Sequence, residues 1–386
     1  MNRVTINLHA LQHNLNAICK RVEARGASWS VVTKAVCGHL DVVRALHRLG
    51  VQSIADSRLE NLREVQRILP ALETWYLRLP DLSGVQEVVE LADLSLNSEV
   101  AVIKALSQAA RARDRIHRIV IMIELGDLRE GILPGSLVKF YDTVFDLPNI
   151  EVIGLGAQVG CLAGAIPNVD QMSQLLIYRE LLELKFNRKL PVVSAGSSIL
   201  LSQLDEGLVP RGINHFRIGE ALFLGTDLVT GGILEGLRDD VVTLEAEVAE
   251  VKEKNLVASG ETGAATPFDA LESPDNGARV PGERGYRALV TVGQIDTDVQ
   301  GLTPLDSAHS IAGASSDITV VNIGDDLRSL TVGSHIRFRP SYSAFVRLMN
   351  DPYIRKEVVP PLSEFRVLPS KTREVAVPAA LPGGVT

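Results

Sequence analysis

The chain has 386 residues, enough for two ordinary domains, and its 46% hydrophobic and 22% charged shares are those of a globular protein with substantial cores. A formal charge of -8 argues against a general nucleic-acid binder, whose basic surface must displace counterions. Three cysteines, Cys19, Cys37 and Cys161, are too few and too scattered for a disulfide framework or a zinc site, so no metal is expected.

The opening run RVTINL (3–8) reads as a strand that precedes the main pattern and pairs with a later domain. The start MNRVTINLHALQHN lacks the apolar core of a signal peptide, and no apolar run is long enough to span a bilayer. A soluble, reduced, cytoplasmic protein with no membrane partner is therefore expected.

From about Trp29 to Gly225, short β-rich runs alternate with helical patterns. The strand-like runs are WSVVTK (29–34), SIADS (53–57), ETWYLRLP (73–80) and LSLNS (94–98), then HRIVIMIELG (117–126), IEVIGLGAQ (150–158), PVVSAG (191–196) and NHFRIGE (214–220). Between them HLDVVRALHRLG, RLENLREVQRIL, EVAVIKALSQAARARD and VDQMSQLLIYRELLELKF space their apolar residues as helices do. Eight such units imply an α/β fold, a (β/α)8 barrel over residues 9–230. An open doubly wound sheet is the alternative, but no G-x-G-x-x-G follows the first run.

After about residue 230 the texture turns β-rich, in VVTLEAEVAEVKEK, RALVTVGQID, ITVVNIG and SHIRFRPSY. This predicts a mostly β C-terminal domain over 231–370, joined by the 3–8 strand. Ala258–Arg284 reads as a long loop and 371–386 as a disordered tail.

Function in such a barrel gathers at the C-terminal ends of the strands. Lys34 ends the first run, where burial would yield a neutral amine able to form a Schiff base; an ion-paired or snorkelling lysine is the alternative. Gly196-Ser197-Ser198 opens a helix after the seventh run and could cradle a phosphate, or be only a Gly turn with a Ser cap. Gly219 after the eighth run could complete the cradle. Arg217, two residues earlier, could face a pyridine nitrogen, which its donor-only guanidinium would leave unprotonated, or could pair with an acid such as Glu220. A lysine on strand one with a phosphate cup on strands seven and eight is what pyridoxal 5'-phosphate (PLP) requires.

These stretches resemble the alanine/ornithine racemase family, PLP enzymes of fold type III, and the ornithine racemase branch in particular. The similarity runs through VVTKAVCGH, IADSRLENL, MIELGDLREGI, VSAGSS and INHFRIGEALFLG, then VGQIDTDVQGLTPLD, IAGASSDITVV and DPYIRKE, covering nearly the whole chain. The resemblance implies that Lys34 carries PLP, that Ser198 with the backbone of Gly219 and Glu220 binds the phosphate, and that Arg217 faces the pyridine nitrogen. Arg129 would lie by the cofactor's phenolic oxygen and the substrate, and Tyr353 by the phosphate. A head-to-tail homodimer is implied, each barrel capped by the partner's β-domain.

Two departures bear on the reaction. Gln294, in Gly293-Gln294-Ile295-Asp296, stands where alanine racemases have a catalytic tyrosine, as the ornithine branch also lacks it, and Gln cannot be a general base. Ser197 and Gln158 stand where the branch more usually has asparagines. Racemisation needs a base on each face of the α-carbon, so Lys34 needs a counterpart: Asp296 first, then Tyr342, then Cys161. Asp296 could equally be a turn aspartate. Asp127, Glu130 and Glu220 near the mouth could pair with a substrate's amino group, favouring ornithine or another basic amino acid over alanine, or could pair with Arg129 and Arg217. Basic amino-acid decarboxylases of this type carry Glu-Pro-Gly-Arg and a β-domain cysteine, both absent here, and His309 and His335 are isolated. A non-catalytic PLP carrier, or a one-base or lyase enzyme, is the remaining alternative.

Overall fold

The computed structural model describes residues 1–160, 162, 164–257, 282–324 and 330–368. Eight parallel strands close into a barrel: β2 (Ser28–Val32), β3 (Ser53–Asp56), β4 (Glu73–Tyr76), β5 (Leu94–Asn97), β6 (His117–Ile123), β7 (Ile150–Ala157), β8 (Val192–Gly196) and β9 (His215–Ile218). The closing seam pairs β2 with β9, from Ser28 opposite His215 to Val31 opposite Ile218. All eight predicted runs are present, and the open sheet is excluded. Their near-continuous apolar character follows from burial on both faces: Val32, Ala55, Trp75, Leu96, Met122 and Val192 fill the interior, while neighbours such as Val31 and Phe216 join the outer core under the helices.

The four helical patterns become Leu40–Arg48, Leu59–Ile68, Val100–Ala112 and Val169–Phe186. The last begins at a capping box, Asn168 with Gln171, and stops at Asn187, whose φ of 52° is left-handed. No helix among the described residues is long and apolar enough to cross a membrane.

The strand β1 (Arg3–Asn7) does not enter the barrel. It pairs antiparallel with β10 (Val242–Asn255) and parallel with β16 (Arg355–Val359). The second sheet runs β12 (Leu302–Pro304), β15 (His335–Pro340), β10, β11 (Arg284–Val290), β14 (Thr319–Asn322) and β13 (Ser310–Ala314), with β1 attached to β10 and β16 to β1. The first half of β10 alternates buried and half-buried residues, as a sheet with one covered face requires.

The β-rich half also holds a helical element that its sequence texture does not announce. A helix, Tyr342–Asn350, follows β15, capped by Ser341 Oγ accepting the Ala344 N–H at 3.3 Å, and it packs against the turn that carries Lys34. Of the loop expected over Ala258–Arg284, residues 258–281 lie outside the described residues and Arg284 opens β11; the tail 371–386 also lies outside them.

Candidate active site

The apolar pattern predicts a first barrel strand running on to Lys34, but β2 stops at Val32. Thr33 leaves the strand with φ -97° and ψ -1°, and Lys34–Val36 forms a single 3-10 turn closed by Cys37 at φ 50°. The Thr33 hydroxyl donates to Asp56 at 2.8 Å, tying this corner to the end of β3. Asp56 is fully buried and also accepts from the Arg58 N–H at 3.0 Å and Asn61 Nδ2 at 3.1 Å. Burial pushes its carboxyl above the ordinary range, while those donors pull it down. Lys34 is thereby lifted to the rim, and in the single chain its side chain is exposed, not buried as the sequence argument supposed.

Across the closing seam, Gly219 lies against Val32: a Cβ on Gly219 would come within 2.9 Å of the Val32 carbonyl oxygen. Only glycine allows this close approach, which brings the helix Glu220–Leu224 beside the Lys34 corner. Ser197 and Ser198 start the turn into the helix Leu200–Asp205, with the Leu200 N–H donating to the Ser197 carbonyl at 3.0 Å. Ser198 Oγ accepts the Ala221 N–H at 3.2 Å, joining the ends of β8 and β9 in one cup of hydroxyl and helix-start N–H groups.

Arg217 points into the barrel and is 5% exposed. Its guanidinium donates to the Ser194 carbonyl at 2.8 Å, Ser194 Oγ at 2.5 Å, the Ala157 carbonyl at 3.1 Å and Gln158 Oε1 at 3.0 Å. Gln158, where asparagine was the more usual residue, thus holds the Arg217 fork. Below it, Ser194 Oγ meets His215 Nδ1 at 2.9 Å and Ser30 Oγ meets His215 Nε2 at 3.1 Å, while the ring stacks on Trp75 at 4.1 Å. Burial, then the Arg217 charge, lower the His215 pKa to about 3, so the imidazole stays neutral. Sequence reasoning missed His215; its signal was the spacing of two from Arg217, which puts both on the inward face.

The loops after β6 and β7 form the rest of the rim. Arg129 pairs with Glu130 at 3.0 Å. Asp127 is 2% exposed and accepts the Leu162 N–H at 3.1 Å, linking the two loops. Glu220 is half-buried; burial pushes its carboxyl up to about 7, and the nearby Lys34 charge pulls it back in part. It lines a cleft of about 370 Å³ between barrel and β-domain, with Tyr342 on the other wall.

Of the counterpart bases, Cys161 lies outside the described residues. Asp296 closes a tight turn, accepting the Gly293 N–H at 2.8 Å, which is the turn role weighed above. Burial raises its pKa, and the neighbouring Asp351 and Asp317 carboxylates add to the rise. Gln294 is half-buried, its N–H donating to the Ser315 carbonyl at 3.0 Å. Tyr353 is 86% exposed in the turn before β16, its N–H on Asp351 Oδ1 at 2.6 Å.

Known proteins share this architecture. The family model "Alanine racemase, N-terminal domain" matches residues 6–227. An ornithine racemase of Acetoanaerobium sticklandii is 35% identical over 358 residues, 92% of this chain and 99% of that one. A lysine racemase of Thermotoga maritima is 31% identical over 358 residues, 93% and 98% of the two chains. Among solved structures, alanine racemase from Streptomyces coelicolor A3(2) superposes with a TM-score of 0.71 at 18% identity, covering 93% of this chain and 98% of that one. Alanine racemase from Bartonella henselae with covalently bound pyridoxal phosphate gives 0.69 at 15% identity, covering 93% and 99%. The structural likenesses speak for the fold, and the full-length sequence relatives for the activity class. The chain belongs to the alanine racemase family and is an amino-acid racemase.

Proposed function

We propose that this racemase is PLP-dependent, acts on ornithine or another basic amino acid, and works as a cytoplasmic head-to-tail homodimer. The observation that carries the substrate class is full-length identity of 35% and 31% to proteins named for ornithine and lysine racemisation. The cofactor assignment rests on fit. An amine at the rim, a buried guanidinium pinned across β7–β9, and a glycine cup at the ends of β8 and β9 match an aldehyde, a pyridine nitrogen and a phosphate.

Lys34 would hold PLP covalently, Ser198 with the backbone of Gly219 and Glu220 would hold its phosphate with help from Tyr353, and Arg217 would face its ring nitrogen. When bound, PLP supplies an electron sink that acidifies the substrate's α C–H. Arg217 has no acceptor atom and stays charged, so it leaves the ring nitrogen unprotonated and moderates that sink, favouring proton exchange over bond-breaking side reactions. Lys34 Nζ takes or returns the α-proton on one face. Asp296, brought by the partner's β-domain, is proposed for the opposite face, ahead of Tyr342 and Cys161. Arg129, oriented by Glu130, is proposed to steady the substrate at the rim.

Incubating the PLP-loaded protein with L-ornithine, L-lysine and L-alanine in deuterated water, with chiral chromatography, tests the proposal. D-ornithine or D-lysine carrying α-deuterium is expected, faster than D-alanine. Exchange with retained configuration would leave only one base working, and no exchange at all would make the chain a carrier.

A further inference from the structure

Three carboxylates stand at the barrel rim, and the structure separates them. Glu130 is committed to Arg129 at 3.0 Å. Asp127 is buried and accepts the Leu162 N–H, so it braces two loops. Glu220 differs: among the described residues no donor lies within hydrogen-bond or ion-pair distance of its carboxylate. It is half-buried and lines the 370 Å³ cleft together with Gln300, Thr303 and Tyr342, with Lys34 as the cation that influences it.

A half-buried carboxylate that no side chain of the described residues pairs with can take its cation from a ligand. Lys34 offers its charge to Glu220 only while its amine is free and protonated. In the proposed reaction that amine is committed to the cofactor or must be neutral to accept a proton. Arg339, the other cation lining the cleft, is paired with Asp239, and a substrate whose α-carbon lies at Lys34 can bring a cation to Glu220 along its side chain.

We infer that Glu220 is the specificity residue of this site: its carboxylate, which lines the barrel–domain cleft, receives the distal ammonium of a basic amino acid. The inference rests on the reading of the chain as a racemase of basic amino acids. A charged partner discriminates far more strongly than one methylene does, so the site separates ornithine from an apolar isostere more than from lysine.

The test compares L-ornithine with L-norleucine, in which a methyl replaces the ornithine ammonium, on the PLP-loaded wild type and on Glu220→Gln. Wild type is expected to prefer ornithine, and Glu220→Gln to lower the ornithine-to-norleucine ratio of kcat/KM by about 30-fold or more, mainly through the KM for ornithine. The thermal stabilisation that ornithine gives the protein should shrink in parallel. Glu220→Asp, which keeps the charge on a shorter arm, should retain a preference for ornithine at a raised KM, and it covers the case in which the Gln variant fails to fold. An unchanged ratio in an active Glu220→Gln enzyme, or an equal loss on both substrates, overturns the assignment while leaving basic amino-acid racemisation standing. A wild type that racemises neither ornithine nor lysine overturns that underlying reading itself.

Discussion

Arg217 and His215 occupy the inward face of β9 and share Ser194: the guanidinium donates to its hydroxyl, which in turn faces the imidazole. Replacing Ser194 with Ala should cost about 1–3 kcal/mol, because two buried polar groups lose a partner, and should loosen Arg217. A fall in kcat with a smaller change in cofactor affinity is the expected kinetic signature. His215 also predicts how the protein fails in acid. Its folded pKa of about 3 lies below the ordinary histidine value, so between the two the unfolded chain binds a proton that the folded chain refuses. Stability is therefore fully present above pH ~6.5 and is lost as pH falls toward the folded value. His117, lowered to about 4 by burial, acts in the same sense. His215→Gln should flatten the dependence of Tm on pH across that range; an unchanged slope would assign the acid loss elsewhere. That Lys34, Ser198 and Arg217 fall in or just beyond barrel strands could be read from the sequence, because the strand pattern is local. His215 and Asp56 were not, since their partners Ser30, Ser194 and Thr33 lie some twenty or more residues away and only barrel closure brings them near. The expected burial of Lys34 is not met in the single chain, where Thr33 leaves the strand and donates to Asp56.

At the scale of elements, the barrel depends on close approaches that glycine alone permits. A Cβ on Gly196 would lie 1.9 Å from the Phe216 ring, so Gly196→Ala must push β8 away from β9. The variant should lose at least about 1–3 kcal/mol and bind PLP more weakly, since Ser198 follows one displaced strand and Arg217 sits on the other. Thermal unfolding and equilibrium dialysis would measure both, and wild-type values for each would contradict the assignment of the cup to this seam. The helix Tyr342–Asn350 makes a comparable point. Its apolar residues 344, 345, 348 and 349 have helical spacing, but nine residues inside β-rich sequence were masked by their neighbours. Phe345 is fully buried and packs at 5.9 Å on Phe223, which belongs to the helix that begins at Glu220. Phe345→Ala should cost about 3–5 kcal/mol. The damage should extend to the rim, as a rise in KM in whatever fraction remains folded.

At the scale of the whole molecule, alternation of strands and helices made the barrel legible, because eight βα units leave little choice of closure. The second sheet was legible only as β-rich texture; its order depends on long-range pairings such as Arg3 opposite both Glu245 and Arg355. On the single chain, Leu128, Leu133, Leu162 and Ile166 stand exposed on the rim loops, and Ile295, Leu305 and Tyr353 on the β-domain. Two apolar surfaces on one chain fit the proposed head-to-tail arrangement, in which each covers the other's counterpart. Leu162→Asp should then shift sedimentation toward the monomer and remove racemase activity together; an active monomer would contradict a base supplied by the partner. The proposed chemistry turns on the nitrogen of Lys34. The most direct measurement is borohydride treatment of the PLP-loaded protein followed by peptide mass mapping. A pyridoxyl-phosphate label on Lys34, absent after Lys34→Ala, is the predicted result, whereas a label on another lysine, or none, would contradict it.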